Sequence, residues 1–226
     1  YYTMSDFSSW GVPGSLELKP EITAPGGNIY SVNGAVAGGQ AYENMSGTSM
    51  AAPQVTGMVA LVAQYIRETG LDTKTGLSAR KLAQSLLMST ADPVIEEESG
   101  FYYSILKQGS GLADVDAAIS AGSCILMDAD ANAGAADGKV KAELGDDPAR
   151  DGAYTFSYTL YNLKDTAGQF LLTTPVFTQD MFSYSGFLFL DTLTTQLPAV
   201  VSYKVNGELV ADVADAAAGL DADDAQ

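Results

Sequence analysis

The sequence contains no histidine and only one cysteine, Cys124, among its 226 residues. Without histidine, the chain lacks the side chain that most often acts as a general base or a metal ligand in proteins. A single cysteine excludes an internal disulfide framework, and its apolar neighbours predict that Cys124 is buried. No apolar run approaches the roughly 18 residues of a membrane-spanning helix, so we expect no membrane insertion.

Basic residues are also scarce, since 11 Lys and Arg stand against 28 Asp and Glu, for a net charge of −17. Such a surface repels nucleic acid and anionic membranes, so neither is expected as a main partner. Hydrophobic residues make up 46% of the chain, which is enough for one large or two modest domains. The chain starts at Tyr1 with a strand-like segment and no signal peptide, so we expect it to be a piece of a longer protein.

The sequence changes character near residue 122. Residues 1–122 mix short extended segments, Gly/Pro turns and helical patterns, whereas 123–226 are strand-like almost throughout. We predict helices from about Ser49 to Thr69, from Ser78 to Ser89 and from Val115 to Ala121. Apolar residues cover most of the first helix, which is typical of a helix buried on nearly all sides. Its glycine, Gly57, predicts a closely packed neighbour, most simply a strand.

The second part predicts an all-β sandwich. Segments such as 154–162 alternate between apolar and polar residues, and turn residues separate about five strand candidates. Five is fewer than the roughly seven strands of a complete immunoglobulin-type sandwich. The segment from Val210 to Gln226 is rich in alanine and aspartate, and we expect it to be frayed or to belong to whatever follows.

A turn of small residues, Ser46-Gly47-Thr48-Ser49, leads directly into the first helix. One explanation is structural, because Ser and Thr hydroxyls commonly cap helix N-termini. The other is catalytic, because unpaired N–H groups and the positive end of the helix dipole can stabilise an oxyanion beside a nucleophilic Ser49. Gly47 would permit both a sharp turn and the close approach of a substrate.

A resemblance favours the catalytic explanation. The segment GTSMAAPQVTGMVAL resembles the nucleophile segment of the subtilisin-like serine proteases (the S8 family). Four further segments match the family in the same order along the chain: FSSWG, LKPEITAPGGNIYS, LSARKLAQSLLMSTA and QGSGLADVDAAISA. The first of these resembles the cell-envelope branch, which includes lactocepin and C5a peptidase. A chance match to all five ordered segments is very improbable.

The resemblance implies an α/β fold for residues 1–122, as a partial subtilisin-like lobe with a parallel sheet and helices. It implies that Ser49 is the acylating nucleophile and that its backbone N–H is half of the oxyanion hole. Gly47, Thr48 and Met50 would shape the site. The family further implies a peptide or protein substrate, no cofactor, and a secreted or cell-wall-attached protein.

Residues 123–226 resemble, more loosely, the fibronectin type III-like domain that follows the catalytic domain in cell-envelope proteases. The segments KVKAELGDD and YTFSYTLYNLKDTAGQF carry this likeness. The residues themselves indicate only a β module, with no catalytic constellation.

The chain departs from the family in one important respect. A serine nucleophile needs a base and an orienting carboxylate, which the family supplies N-terminal to the serine in the order Asp, His, Ser. Only 48 residues precede Ser49, and they contain neither a histidine nor an Asp-Thr-Gly segment. No upstream asparagine matches the family's second oxyanion donor. Gln54 replaces a histidine that is common in the family, but that histidine is not the base.

Two explanations of this departure stay open, a truncated protease and a degenerate one. The intact serine segment favours truncation, with the N-terminal part of the catalytic domain missing and the chain inactive alone. A truncated lobe should expose an apolar face of its first helix where the missing sheet would pack. The rival function is a non-catalytic extracellular interaction module, in which a degenerate protease lobe supports the β part.

Two weaker motifs are better explained without catalysis or metal binding. The pattern Ser78-Ala79-Arg80-Lys81 fits S-x-x-K, but no companion motif accompanies it and a helix cap explains it. The segment from Asp128 through Asp130 and Asn132 begins like a calcium loop, but Ala133 and Lys139 replace the required glycine and glutamate. We therefore predict no metal site, and calcium is an unsupported alternative.

Overall fold

The computed structural model describes residues 2–12, 17–35, 38, 41–128, 140–170, 175–197, 202–205 and 208–210. The helices in these ranges are α1 (Thr48–Thr69), α2 (Leu71–Thr75), α3 (Ala79–Ser89), α4 (Ile105–Gln108) and α5 (Val115–Ser120). The strands are β1 (Ile29–Val32), β2 (Tyr42–Met45), β3 (Tyr102–Tyr103), β4 (Ser123–Met127), β5 (Tyr158–Asn162), β6 (Val176–Phe177), β7 (Met181–Tyr184), β8 (Phe187–Leu190), β9 (Leu193–Thr194), β10 (Gln196–Leu197), β11 (Tyr203–Val205) and β12 (Glu208–Val210).

The three predicted helices are present within about one residue of their predicted bounds. Gly70 ends α1 in the left-handed conformation, with a φ of 67°, which glycine adopts at low cost. Ser78 caps α3, because its hydroxyl accepts a hydrogen bond from the Lys81 backbone N–H at 3.3 Å. This cap confirms the structural explanation of the S-x-x-K pattern. Asp114 caps α5 in the same way, through the N–H of Ala117.

The core lies between one side of α1 and the elements α3, α5 and β4. α1 contributes Val62 and Ile66 to this core, and both side chains are fully buried. Across from them lie Leu82, Leu86, Ala118 and Cys124. Cys124 is buried as predicted, and burial raises the pKa of its thiol to about 11, so the group is neutral at physiological pH and acts as a small apolar side chain.

The opposite side of α1 is exposed. Leu61 is 56% exposed, and a Cβ added at Gly57 would meet no atom within 4 Å. Val59, which lies next to the core-facing stripe, is still 39% exposed. The predictions that the helix is buried on nearly all sides and that a strand packs on Gly57 are therefore wrong for the described residues. The exposed apolar face agrees with the expectation for a truncated lobe. None of the helices in the described ranges has the length and apolar character that a membrane crossing requires.

The described strands pair two at a time, and every strand pair is antiparallel. Parallel pairing among the described residues is limited to one isolated bridge between Thr23 and Leu112. The described residues therefore contain antiparallel strand pairs in place of the predicted parallel sheet. Two parallel strands must be joined by a long crossover connection. Among the described residues, the extended segments around Thr23 and Leu112 are the ones that pair in the parallel direction.

The described part of residues 123–226 forms two-stranded ribbons, and the sandwich stays a prediction. β4 pairs with β5 and packs against α3, where the Ser85 hydroxyl donates to the Ile125 carbonyl at 3.1 Å. β9 pairs with β3 and so joins the two halves of the chain. The predicted boundary at residue 122 is likewise still a prediction, and residues 211–226 lie outside the described residues.

We predict opposite effects of alanine at two glycines of this chain. Gly57→Ala should raise the free energy of unfolding by about 1 kcal/mol, because alanine is the better helix former and the space beside Gly57 is open. Gly111→Ala should lower it by at least about 1–3 kcal/mol, because its φ is 121° and the new Cβ would lie 2.3 Å from the Asp92 carbonyl oxygen. Urea unfolding of both variants measures the difference, and a stabilising Gly111→Ala would contradict the described packing.

Candidate active site

The turn that connects β2 to α1 determines where Ser49 lies. Gly47 immediately precedes the helix with φ 154° and ψ 162°, a backbone region that is essentially restricted to glycine. The N–H of Gly47 donates a hydrogen bond to the carbonyl of Gly26 at 2.8 Å. Thr48 and Ser49 then form the start of the first helical turn, as the sequence predicted.

The three hydroxyl groups of this turn do not cap α1. The helix has Gly47 at its N-cap and no side-chain cap hydrogen bond. In the part of the chain that the structure describes, the hydroxyls of Thr48 and Ser49 make no hydrogen bond. Ser46 accepts a hydrogen bond from the backbone N–H of Asn28 at 2.8 Å, so it holds a neighbouring loop instead. The capping explanation of Ser49 is therefore wrong.

Ser49 is exposed and accessible from a cavity of about 320 Å³. This cavity, which we call the hairpin cavity, lies between the β1–β2 hairpin and the α1 residues Ser49, Met50, Pro53 and Gln54. Thr48 lines a different cavity of about 550 Å³ on the other side of the first turn, together with Ala51 and residues of the 20–28 segment. A nucleophile must be reached by its substrate, and the position of Ser49 satisfies that requirement.

The backbone around Ser49 can stabilise negative charge. Its N–H belongs to the first turn of α1, where N–H groups have no carbonyl partner within the helix. The positive end of the helix dipole adds to the effect. An N–H placed in this way next to a nucleophile is suited to hold the oxyanion of a tetrahedral intermediate. The sequence holds no histidine to accept the serine proton, and no carboxylate in the described residues bonds to Ser49.

Three hydrogen bonds, which we call the anchor contacts, hold the start of α1 against residues 25–28. Two of them are the bonds from Gly47 to Gly26 and from Asn28 to Ser46. In the third, the side-chain amide of Gln54 donates to the Pro25 carbonyl at 2.7 Å, and it also lies 3.3 Å from the Met50 carbonyl. These contacts fix the first turns of the helix, and with them Ser49, relative to the preceding loop.

The anchor contacts were not predicted from the sequence. In the sequence, Gln54 stands out only because it replaces a histidine that is common in the family, and Ser46 only as a possible cap. Gly26 has a comparable role, because a Cβ there would lie 2.8 Å from the Gly47 carbonyl oxygen. The sequence feature that could have indicated these contacts is Gln54, a polar residue five positions after Ser49 on a helix whose neighbouring positions are mostly small or apolar.

Met50 is half-buried and lines the hairpin cavity beside Ser49. Its sulfur would lie 3.7 Å from a Cβ added at Gly47, so the two residues are neighbours in space as well as in sequence. The structure thus brings Ser49 and Met50 together at the hairpin cavity, and it places Gly47 and Thr48 on the adjacent cavity. That these residues shape a catalytic site is still a prediction.

Most residues of the calcium-like pattern lie outside the described residues, namely Asp130, Asn132, Ala133 and Lys139. Asp128 is described, and its carboxylate accepts a hydrogen bond from the Thr159 hydroxyl at 2.9 Å. Among the described residues, no three carboxylate, thiol or imidazole side chains cluster in a way that could hold a metal ion.

Comparison with known proteins places this geometry in context. The model of the subtilase family, peptidase S8, matches residues 1–134. A PII-type proteinase of Lacticaseibacillus paracasei is 40% identical over 125 residues, which cover 52% of this chain. A PI-type proteinase of Lactococcus lactis subsp. cremoris is 38% identical over 125 residues, with the same 52% of this chain covered. A C5a peptidase of Streptococcus pyogenes is 39% identical over 118 residues, again 52% of this chain.

These relatives are much longer than the matched segment. The match covers 6% of each of the two proteinases and 10% of the C5a peptidase. The similarity therefore concerns one part of each relative, and the residues matched by the family model, 1–134, include Ser49 and the anchor contacts.

We predict that Gln54→Leu lowers the free energy of unfolding by about 1 kcal/mol, because the Pro25 carbonyl loses its hydrogen-bond donor. Gln54→His should lose less, since an imidazole N–H can still donate. Gln64→Leu is the matched control on the same helix, because Gln64 bonds only to the exposed Glu68 in the described residues, and its change should stay within about 0.5 kcal/mol. Equal losses in Gln54→Leu and Gln64→Leu, measured by urea unfolding, would show that the Pro25 contact contributes nothing.

Proposed function

The chain belongs to the subtilase family, and from this premise we propose that it carries the nucleophile of a serine endopeptidase, Ser49. The subtilase family has an α/β fold. The observation that carries the proposal is an exposed serine hydroxyl at the N-terminus of α1, which is neither used as a cap nor bonded elsewhere in the described residues. The names of the relatives support it, since two are proteinases and one is a C5a peptidase.

In this mechanism the Ser49 hydroxyl oxygen attacks the carbonyl carbon of a peptide bond while its proton passes to a base. The carbonyl oxygen becomes negative and accepts a hydrogen bond from the Ser49 backbone N–H. The C–N bond then breaks, and the leaving amine takes up the proton. Water hydrolyses the resulting acyl-serine ester and regenerates the hydroxyl.

The base and its orienting carboxylate are proposed to come from a longer protein, from a part N-terminal to these 226 residues. The chain itself has no histidine, and the matched segment is 6–10% of its relatives. We expect that part to contain an Asp-Thr-Gly segment, a histidine and an asparagine that completes the oxyanion hole. The same part would cover the exposed face of α1 around Gly57 and Leu61. The 226 residues alone would then be inactive.

The proposed substrate is a peptide or protein, and the proposed location of the longer protein is secreted or attached to the cell wall. The negative charge of the chain is compatible with an extracellular surface. No cofactor is needed for acyl transfer to a serine.

The alternative is a non-catalytic extracellular interaction module. One observation favours it: the β7–β8 hairpin exposes large apolar side chains, with Tyr184, Phe187 and Leu188 at 69%, 70% and 70% exposure. Exposed apolar surface of this kind is common where proteins bind one another. Chemical labelling of Ser49 separates the two functions.

We predict that a fluorophosphonate probe labels Ser49 in the full-length protein, because only a serine activated by a base reacts readily with such a probe. Ser49→Ala should abolish labelling and lower kcat for peptide hydrolysis by about a millionfold. Ser120→Ala, at an exposed serine at the end of α5, should keep both. Mass spectrometry of the labelled protein identifies the modified residue.

The 226-residue chain by itself should not be labelled, since it lacks the base. If the full-length protein is not labelled at Ser49, the endopeptidase proposal fails and the interaction module is favoured. If Ser49→Ala keeps the labelling, another residue is the nucleophile.

A further inference from the structure

The β1–β2 hairpin places a single acidic residue, Glu43, along the cavity that Ser49 also lines. In the antiparallel register, Ile29 lies opposite Met45 and Ser31 lies opposite Glu43. Because alternate residues of a strand share a face, these four side chains lie on one side of the hairpin, and all four line the hairpin cavity with Ser49. The rings of Tyr30 and Tyr42 stack on the other side, with centroids 5.7 Å apart.

The cavity walls have one charge and are otherwise mostly apolar. Glu43 is the one ionisable residue among the described residues that line it. Its carboxylate is exposed and forms no ion pair within the described part of the chain. The polar amide of Gln54 is already committed to the Pro25 and Met50 carbonyls.

The remaining apolar walls include the aliphatic and thioether side chains of Ile29, Met45, Met50 and Pro53. Lysine and arginine combine a long apolar stem with a charged head, so they can lay the stem along such surface while the head meets a carboxylate. A cavity of about 320 Å³ is large enough for either side chain. The net charge of −17 on the chain also favours the approach of basic peptides.

We propose that the hairpin cavity is a specificity subsite in which Glu43 selects a lysine or arginine side chain of the substrate, on a residue next to the scissile bond. The inference rests on the proposed endopeptidase function and adds the class of substrate. Its position follows from Ser49, which lines the same cavity, so a side chain held there belongs to a residue adjacent to the attacked carbonyl. An acidic side chain at that place is repelled by Glu43.

The test uses the full-length protein and internally quenched fluorescent peptides that are identical except at one position. That position is either the residue before or the residue after the scissile bond, and it is lysine, norleucine or glutamate. Norleucine keeps the apolar stem of lysine without its charge. At one of the two positions kcat/KM should fall in the order lysine, norleucine, glutamate, and lysine should exceed norleucine by about three- to fivefold, as expected for a partly exposed ion pair.

Substitution of Glu43 should remove this preference. Glu43→Gln should bring the lysine-to-norleucine ratio of kcat/KM close to one, and Glu43→Lys should place glutamate ahead of lysine. Glu97→Gln is the matched control, because it removes the same charge from an exposed position that does not line the cavity; its ratio should equal that of the unsubstituted protein. Higher salt should reduce the lysine advantage and leave norleucine unaffected.

Failure of this subsite can be distinguished from failure of the proposed function. If a fluorophosphonate labels Ser49 but lysine has no advantage at either position, the subsite is wrong and the endopeptidase proposal stands. The same conclusion follows if the advantage of lysine survives in Glu43→Gln. If Ser49 is not labelled, the proposed function fails and the subsite fails with it.

Discussion

The position of Ser49 depends on the close contact of two glycines, Gly26 and Gly47. Gly47 has a φ of 154°, which other residues adopt only under strain, and its N–H binds the Gly26 carbonyl at 2.8 Å. A Cβ on Gly26 would lie 2.8 Å from the carbonyl oxygen of Gly47. Because the N-cap of α1 is a glycine, the helix starts without a capping side chain. The adjacent hydroxyl of Ser49 is therefore not used to hold the fold together.

This arrangement leaves the N-terminus of α1 less stable than a side-chain cap would, and it leaves the Ser49 hydroxyl free of any capping role. A helix whose N-cap is glycine instead of Ser, Thr, Asn or Asp gives up roughly a few tenths of a kcal/mol. The contacts of Ser46 with Asn28 and of Gln54 with Pro25 offset part of that loss, and they do so without involving Ser49. Strain and unused polar groups of this kind are common at functional sites. The exposed far side of α1, around Gly57 and Leu61, is the complementary feature expected of a lobe that packs against further chain.

The features that could be predicted from the sequence depend on residues close together in the chain. The features that could not be predicted depend on contacts between distant segments. The periodicity and cap residues of α1, α3 and α5 lie within each helix, so their bounds were predicted closely, whereas α2 and α4 are too short to show a period. The parallel sheet and the sandwich depend on pairing between distant segments, which alternation alone does not specify. Ser49 and Gly47 were identified from a contiguous motif. Gln54 donates a hydrogen bond to Pro25, 29 residues away. Glu43 lines the same cavity as Ser49 only because of the register of its hairpin.

The central claim is that Ser49 attacks a carbonyl carbon while its own N–H receives the negative oxygen. A crystal structure of the full-length protein with a peptidyl boronic acid tests this most directly, because the boronate mimics the tetrahedral intermediate. The claim predicts a covalent bond from boron to the Ser49 hydroxyl oxygen and a boronate oxygen about 2.7–3.1 Å from the Ser49 backbone nitrogen. A boronate bonded to another residue, or a Ser49 hydroxyl sealed away from any cleft by the rest of the protein, would contradict it.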